Sequence, residues 1–199
     1  NNQSFFNGDI LLRPTGLTGK GIMILDNSEM KSNLFSFNAN WFASDTADLT
    51  VFTEEREVSF ESKNLNTHID LVDKTGDFFS NGDDSYVIFP TIQYISFIDK
   101  LRWNMEDQVL LLGDQDENSL GSRFISIHQD QDSLSFVAKT STFNLKDNII
   151  NVFDVPEISI ADAIIYPNRE GFFIEKDGFI PTITDVTILV DTTFNFHEF

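Results

Sequence analysis

Residues 134–174 read LSFVAKTSTFNLKDNIINVFDVPEISIADAIIYPNREGFFI. Apolar and polar residues alternate, a polar cluster interrupts, and the alternation resumes. Phe143-Asn144-Leu145 leads into Lys146-Asp147-Asn148, then Ile149-Ile150-Asn151-Val152. Ile165-Tyr166 leads into Pro167-Asn168-Arg169-Glu170-Gly171, then Phe172-Phe173-Ile174. A period of two sends alternate side chains to opposite faces of a sheet. The polar clusters are turn signals. The stretch therefore predicts strand, turn, strand, turn, with Phe143, Leu145, Ile149, Val152, Ile158, Ile160 and Ile164 supplying inward-facing residues.

The same pattern extends in both directions. Phe5–Leu12, Ile22–Leu25, Leu34–Ala43 and Leu49–Phe52 are strand candidates, with Leu17–Gly21 turn-rich and Asp45–Asp48 a turn. Val58–Glu61 and His68–Val72 follow as separate strands. Asn81-Gly82-Asp83-Asp84 is a strong hairpin signal, and Tyr86–Phe89 stops at Pro90. Ile92–Met105 is ambiguous by periodicity, but β-branched and aromatic residues favour strands. Val109–Leu112, Arg123–His128, Thr182–Val190 and the terminal Thr192–Phe199 complete the set, with Gln129–Asp132 as a turn. Short strands at this spacing predict an all-β sandwich, barrel or solenoid. Residues 1–199 read as a single all-β domain, expected to be a fragment of a larger protein.

Composition narrows the function. The chain has 199 residues, is 41% hydrophobic and contains 21 Phe, a globular composition able to bury a core. Its formal net charge of −19 argues against nucleic acid and anionic lipid as partners. Cysteine is absent, which removes disulfides and thiolate metal sites. No run is long enough for a transmembrane helix.

A unit recurs loosely: an apolar or aromatic pair, a polar break, then alternating apolar residues. Trp41-Phe42 precedes Asp45 to Asp48; Ile69-Asp70-Leu71 precedes Asp73-Lys74; Leu101 to Met105 precedes Glu106-Asp107-Gln108; Phe143 and Tyr166 head two more units, at unequal spacing. With Phe42 to Asp48, Phe89 to Tyr94, Trp103 to Glu106, Gln131 to Leu134 and Ile160 to Pro167, the chain resembles a segment of the large, repetitive β-rich envelope proteins of Gram-negative bacteria. Their strands stack as in lipopolysaccharide-transport bridge proteins. The resemblance implies an open β-roll with an apolar inner face and no cofactor. The expected fold is then a stacked β-roll or solenoid-like sheet, with a β-sandwich of jelly-roll type as the alternative. It also implies a place in the periplasm or on the cell surface, beside neighbouring domains of a larger chain or other envelope proteins.

Candidate chemistry is sparse. Asp114-Gln115-Asp116-Glu117-Asn118 resembles the start of a calcium loop, but Ser119 replaces the turn glycine and Ile125 stands where a bidentate Glu belongs. An acidic solvated turn is the plainer reading. His128, Asp130 and Asp132 would share one face of a strand and offer a metal three ligands, but a turn at Gln129–Asp132 spoils that geometry. Trp41, Trp103, Tyr86, Tyr94 and Tyr166 are candidates for a glycan platform, each more simply explained as packing. No nucleophile elbow, phosphate loop or dinucleotide fingerprint occurs. The expectation is a non-catalytic structural or interaction module with no catalytic residue, metal or cofactor, whose ligand, if any, is apolar. A carbohydrate- or calcium-binding sandwich is the alternative.

Overall fold

In the computed structural model, residues 4–82, 86–113, 120–167 and 171–190 are described. Five long strands open the chain as a meander: β1 (Phe5–Arg13), β2 (Gly16–Leu25), β3 (Ser28–Phe37), β4 (Trp41–Phe52) and β5 (Val58–Asp70). Shorter strands follow: β6 (Thr75–Ser80), β7 (Val87–Phe89), β8 (Tyr94–Phe97), β9 (Lys100–Asn104), β10 (Val109–Leu112) and β11 (Ser122–Ser126). The last are β12 (Ser135–Ala138), β13 (Thr140–Asn144), β14 (Ile149–Phe153), β15 (Ile158–Ile160), β16 (Ala163–Pro167), β17 (Gly171–Ile174) and β18 (Val186–Val190). All pair antiparallel in one 18-stranded sheet that does not close, and the fold is all-β.

The sheet divides at β5. Residues 65–70 of β5 pair with β6, whereas Glu61 and Ser62 pair with β7. Two rows grow from that fork. The first contains β6, β9, β10, β13, β14 and β17. The second contains β7, β8, β11, β12, β15, β16 and β18. The chain alternates between them, laying a hairpin in one row and then crossing to the other.

The rows pack face to face. Phe143 of the first row lies 5.0 Å from the Phe89 ring of the second and 6.4 Å from Phe60 on β5. Phe172 of the first row meets Phe136 of the second at 5.1 Å. Along the first row, Phe42, Ile69, Gly76, Trp103, Leu110, Phe143, Ile150 and Ile174 are successive cross-strand partners on the inner face. Together with the inner residues of the second row they form one apolar cluster. The space between the rows is filled by side chains, Phe60, Phe78, Phe89, Phe124 and Phe143 being fully buried.

Strands β2 to β5 serve both rows and bend where they pass between them. The register breaks between Gly19 and Gly21, between Ser44 and Ala47, and again between Ala47 and Leu49. Asn64 adopts a left-handed φ of 56°. Bulges of this kind bend a strand and sharpen its twist. The buried hydroxyls of Ser32 and Ser44 hydrogen-bond at 2.8 Å, and Ser32 Oγ donates to the Thr46 carbonyl at 2.7 Å, so the crease satisfies its own polar groups.

The differences from the sequence reading have physical causes. Asp45–Asp48 is no turn; its polar residues mark the crease inside β4. The turn lies instead at Asn38–Asn40, between β3 and β4, inside the alternating run Leu34–Ala43. Leu17–Gly21 belongs to β2, its glycines accommodating close strand approach. Val58–Glu61 and His68 form one strand, and Leu71-Val72 begin a turn. Ile92–Met105 does contain strands, β8 and β9. Phe143, Val152 and Ile158 are buried, and Leu145 and Ile160 pack against the core. Ile149 and Ile164 lie on the outer face: Ile149 pairs with Asn144, and Ile150 takes the inward place opposite Phe143. Asp83, Asp84, Asn168 to Glu170 and Thr192–Phe199 lie outside the described residues.

Candidate functional site

The edges of the two rows opposite the crease form a mouth, and its first-row lip is built from one repeated turn. Asp70, Asn104 and Asn144 each end a strand and accept hydrogen bonds through Oδ1 from two backbone N–H groups. The donors are Val72 and Asp73 for Asp70, Glu106 and Asp107 for Asn104, and Lys146 and Asp147 for Asn144, at 2.8–3.2 Å. Asn and Asp favour such turns because their short side chains mimic a backbone acceptor. Each turn closes on a left-handed residue: Lys74, Gln108 or Asn148. The turns are also hydrogen-bonded to one another. Leu71 N donates to the Asn40 carbonyl, Met105 N to that of Lys74 and Leu145 N to that of Gln108. Leu71, Met105 and Leu145 thus hold one equivalent position along the lip. The N–H groups of Asp73 and then Val72 hold the Asp70 carboxyl below its usual range.

The second-row lip comprises the turns at Asp26-Asn27 and Thr53–Glu57, linked by a bond from Phe52 N to the Asn27 carbonyl. Asn148 joins the lips, accepting from Ser59 Oγ and donating to Thr91 Oγ1, both at 2.7 Å. A strap at 175–179 crosses beside it. Asp177 N donates to the Thr91 carbonyl, and Gln131 Nε2 to that of Gly178 at 2.7 Å. Gln131 Oε1 in turn accepts from Ser126 Oγ and Tyr94 OH. Burial pushes the Tyr94 phenol far above its usual value.

Three confluent cavities run between the lips. One of about 320 Å³ is walled by Leu25, Leu71, Trp103 and Met105. It shares Trp103 and Met105 with a narrow waist of about 70 Å³ that includes Val51 and Leu145. The waist shares Glu54, Leu145 and Lys146 with a third cavity of about 410 Å³, which ends at Glu175 and Lys176. The result is a trough with an apolar floor and an acidic rim. Asp26, Glu54, Glu55 and Glu57 stand on one side and Glu106, Asp147 and Glu175 on the other, against Lys74, Lys146 and Lys176. Trp103 is 4% exposed, and its indole N–H has no hydrogen-bond partner.

The two ends of the rows form a different kind of surface. Among the described residues β1 is an edge strand bonded only to β2, and Ile10 and Leu12, which share its inner face, are 65% and 78% exposed. At the opposite end β18 is bonded, among the described residues, only to β16, with Ile188 56% exposed. No described residue therefore covers the core-facing side chains at either end. The outer faces differ as well. Ile88, Ile95 and Ile125 lie side by side on the second row, with Tyr86 and Phe97 exposed nearby. The first row carries a mixed series in the equivalent place: Asp77, Arg102, Leu111, Thr142, Asn151 and Phe173.

The residues singled out from sequence are scattered. Asp114–Ser119 lie outside the described residues. His128 Nδ1 accepts from Asp130 N, and Gln129–Gln131 is a 3-10 turn, so His128, Asp130 and Asp132 do not share a strand face. Among the described residues no group of three or more His, Asp or Glu is arranged to hold a metal. Trp103 and Tyr94 are buried and Trp41 stacks on His68 at 5.3 Å; Tyr86 and Tyr166 are exposed on different strands. No helix among the described residues is long and apolar enough to cross a membrane. The trough went unread because its lining comes from turns far apart in sequence. The available signal was the repeat of an Asn or Asp followed by Leu or Met and, two residues later, Asp, at 70–73, 104–107 and 144–147. No protein-family model matches the chain, and no curated protein matches it.

Proposed function

We propose that the chain is a non-catalytic structural or interaction module of a large cell-envelope protein, exposed to the periplasm or the cell surface, that joins further β structure through its ends. The observation that carries this reading is the pair of uncovered ends. β1 runs for nine residues without proline or lysine, and such an edge offers unpaired backbone groups to another strand. Ile10, Leu12 and Ile188 continue the inner faces of the two rows into solvent. Apolar surface that extends a core in this way gains stability when a further layer covers it. Among the described residues, the titratable groups that their surroundings shift are Asp70 and Tyr94, and the chief causes are the backbone N–H groups of a turn for the first and burial for the second.

Sedimentation velocity from micromolar to millimolar concentration, with apolar dye binding measured in parallel, tests the reading. The chain should associate or bind dye, and Leu12→Lys combined with Ile188→Lys should abolish both without lowering the melting temperature. A monomer that binds no dye at any concentration would overturn it.

A further inference from the structure

We propose that the trough binds an extended, basic peptide carrying an apolar residue at every third position. The proposal stands apart from the ends of the rows, which lie on other edges of the molecule. It begins with the spacing of the first-row lip. Leu71, Met105 and Leu145 sit on successive turns, each two strands from the next. At about 4.8 Å per strand their repeat is about 9.6 Å. Three residues of a polyproline II chain span about 9.3 Å. Such a peptide presents one side chain per turn of its own helix to each of the three positions in order. A strand, with its period of two, meets them out of step.

The rim supplies charge complementarity. Among the described residues, seven carboxylates and three lysines line the trough, within a chain of net charge −19. The excess lies on the second-row side, where Asp26, Glu54, Glu55 and Glu57 face the mixed charges of the first-row lip. A concave acidic surface concentrates cations and orients a basic segment between its sides. Beneath the rim, the unpartnered N–H of Trp103 is a buried donor lacking an acceptor. An extended peptide has no internal backbone hydrogen bonds and brings a free carbonyl at each residue. The N–H lies under the surface, so a carbonyl reaches it by displacing a side chain of the wall. An apolar ligand of the same size would use the floor but neither the rim nor the donor.

The test uses two labelled synthetic peptides of about twelve residues, four turns of polyproline II. Both contain leucine, lysine and glutamine in equal numbers. One places leucine at every third position, and the other clusters the leucines at one end. Fluorescence anisotropy should show the periodic peptide binding several times more tightly, a preference that bulk charge does not produce. Glu54→Gln, Glu55→Gln and Glu106→Gln together should weaken it about tenfold. The matched set Asp45→Asn, Asp99→Asn and Glu157→Gln, on the crease side, should change it less than about twofold. Met105→Ser should erase the preference between the peptides. Leu71→Ser, at a more exposed position of the same lip, should weaken it if Met105→Ser proves unstable. Equal binding of the two peptides overturns the proposal, as do equal effects of the two acid-to-amide sets. Displacement by a neutral dodecyl glycoside with the rim set inert assigns the trough to apolar small molecules instead, and also overturns it.

Discussion

Phe143 and Asn144 are adjacent residues that contribute to stability by different routes. Phe143 is fully buried against Phe60 and Phe89, which lie across the fork from it, on the second-row side. Truncating it leaves a cavity where the rows meet, and Phe143→Ala should cost about 3–5 kcal/mol. Asn144 faces outward, as alternation implies, yet its side chain holds a turn. Asn144→Ala should cost about 1 kcal/mol, because the N–H groups it releases can turn to water. Urea midpoints at matched slope separate the two effects. Asp70 occupies the position of Asn144 in its own turn, but it titrates. Its folded-state pKa lies below the ordinary value of 3.8, so its contribution is complete above that value and fades as pH falls through the lowered one. Asp70→Asn supplies an amide oxygen, as Asn104 and Asn144 do. The variant should keep the turn and lose less stability than the parent as pH is lowered through that window, measured by urea midpoints at each pH. Which residues face inward was largely legible from period two. The exceptions at Ile149 and Ile164 arose because the turns before them, which hold the left-handed Asn148 and Ala161, decide the register that follows.

Among the elements, β1 depends most on a single contact. Gly8 stands opposite Gly21, and a Cβ on Gly8 would fall 2.2 Å from the Lys20 carbonyl oxygen, a backbone atom with little room to move. Gly8→Ala should therefore lift β1 away from β2. Hydrogen exchange should accelerate across residues 5–13 while β9 to β14 keep their protection. A uniform change across the sheet would show that β1 is integral to the global fold. Strand locations were readable because each strand carries its own alternation. The crease was not, since Asp45–Asp48 and Gly19–Gly21 carry the same residues that terminate strands elsewhere. Polar and glycine-rich segments mark a change of direction; whether the chain reverses or merely bends is decided by the neighbouring strand.

For the whole molecule, the alternation between two rows governs both legibility and behaviour. Among the described residues only first-row hairpins share the Asn-or-Asp turn; those of the second row, at Pro90–Gln93, Ile127–Ser133 and Ala161-Asp162, differ. Every other hairpin is thus silent in the repeat, and its spacing looks irregular. The pairing of β10 with β13, or β6 with β9, could not be read from alternation, because each partner lies beyond a hairpin assigned to the other row. The charge of −19 is borne by a sheet folded on itself, so like charges are brought together on folding. Raising salt from about 0.01 M to about 0.15 M shortens the screening length from about 30 to about 8 Å. The urea midpoint should rise over that range. A flat or falling response would mean that the surface charges are already balanced by their neighbours.

The two-row alternation also constrains how such a chain can change length in evolution. Residues 100–139 hold one first-row hairpin and one second-row hairpin, β9 to β12. Excising them would bring β13 beside β6 and β15 beside β8, each still antiparallel, with Phe143 in the place of Trp103. Removing one hairpin alone would strand the next on the wrong side of the crease. Viable insertions and deletions should therefore come in whole pairs of hairpins. A gene for this architecture would be expected to lengthen or shorten by unequal crossing-over at that interval, and small in-frame indels would survive only at the tips of turns.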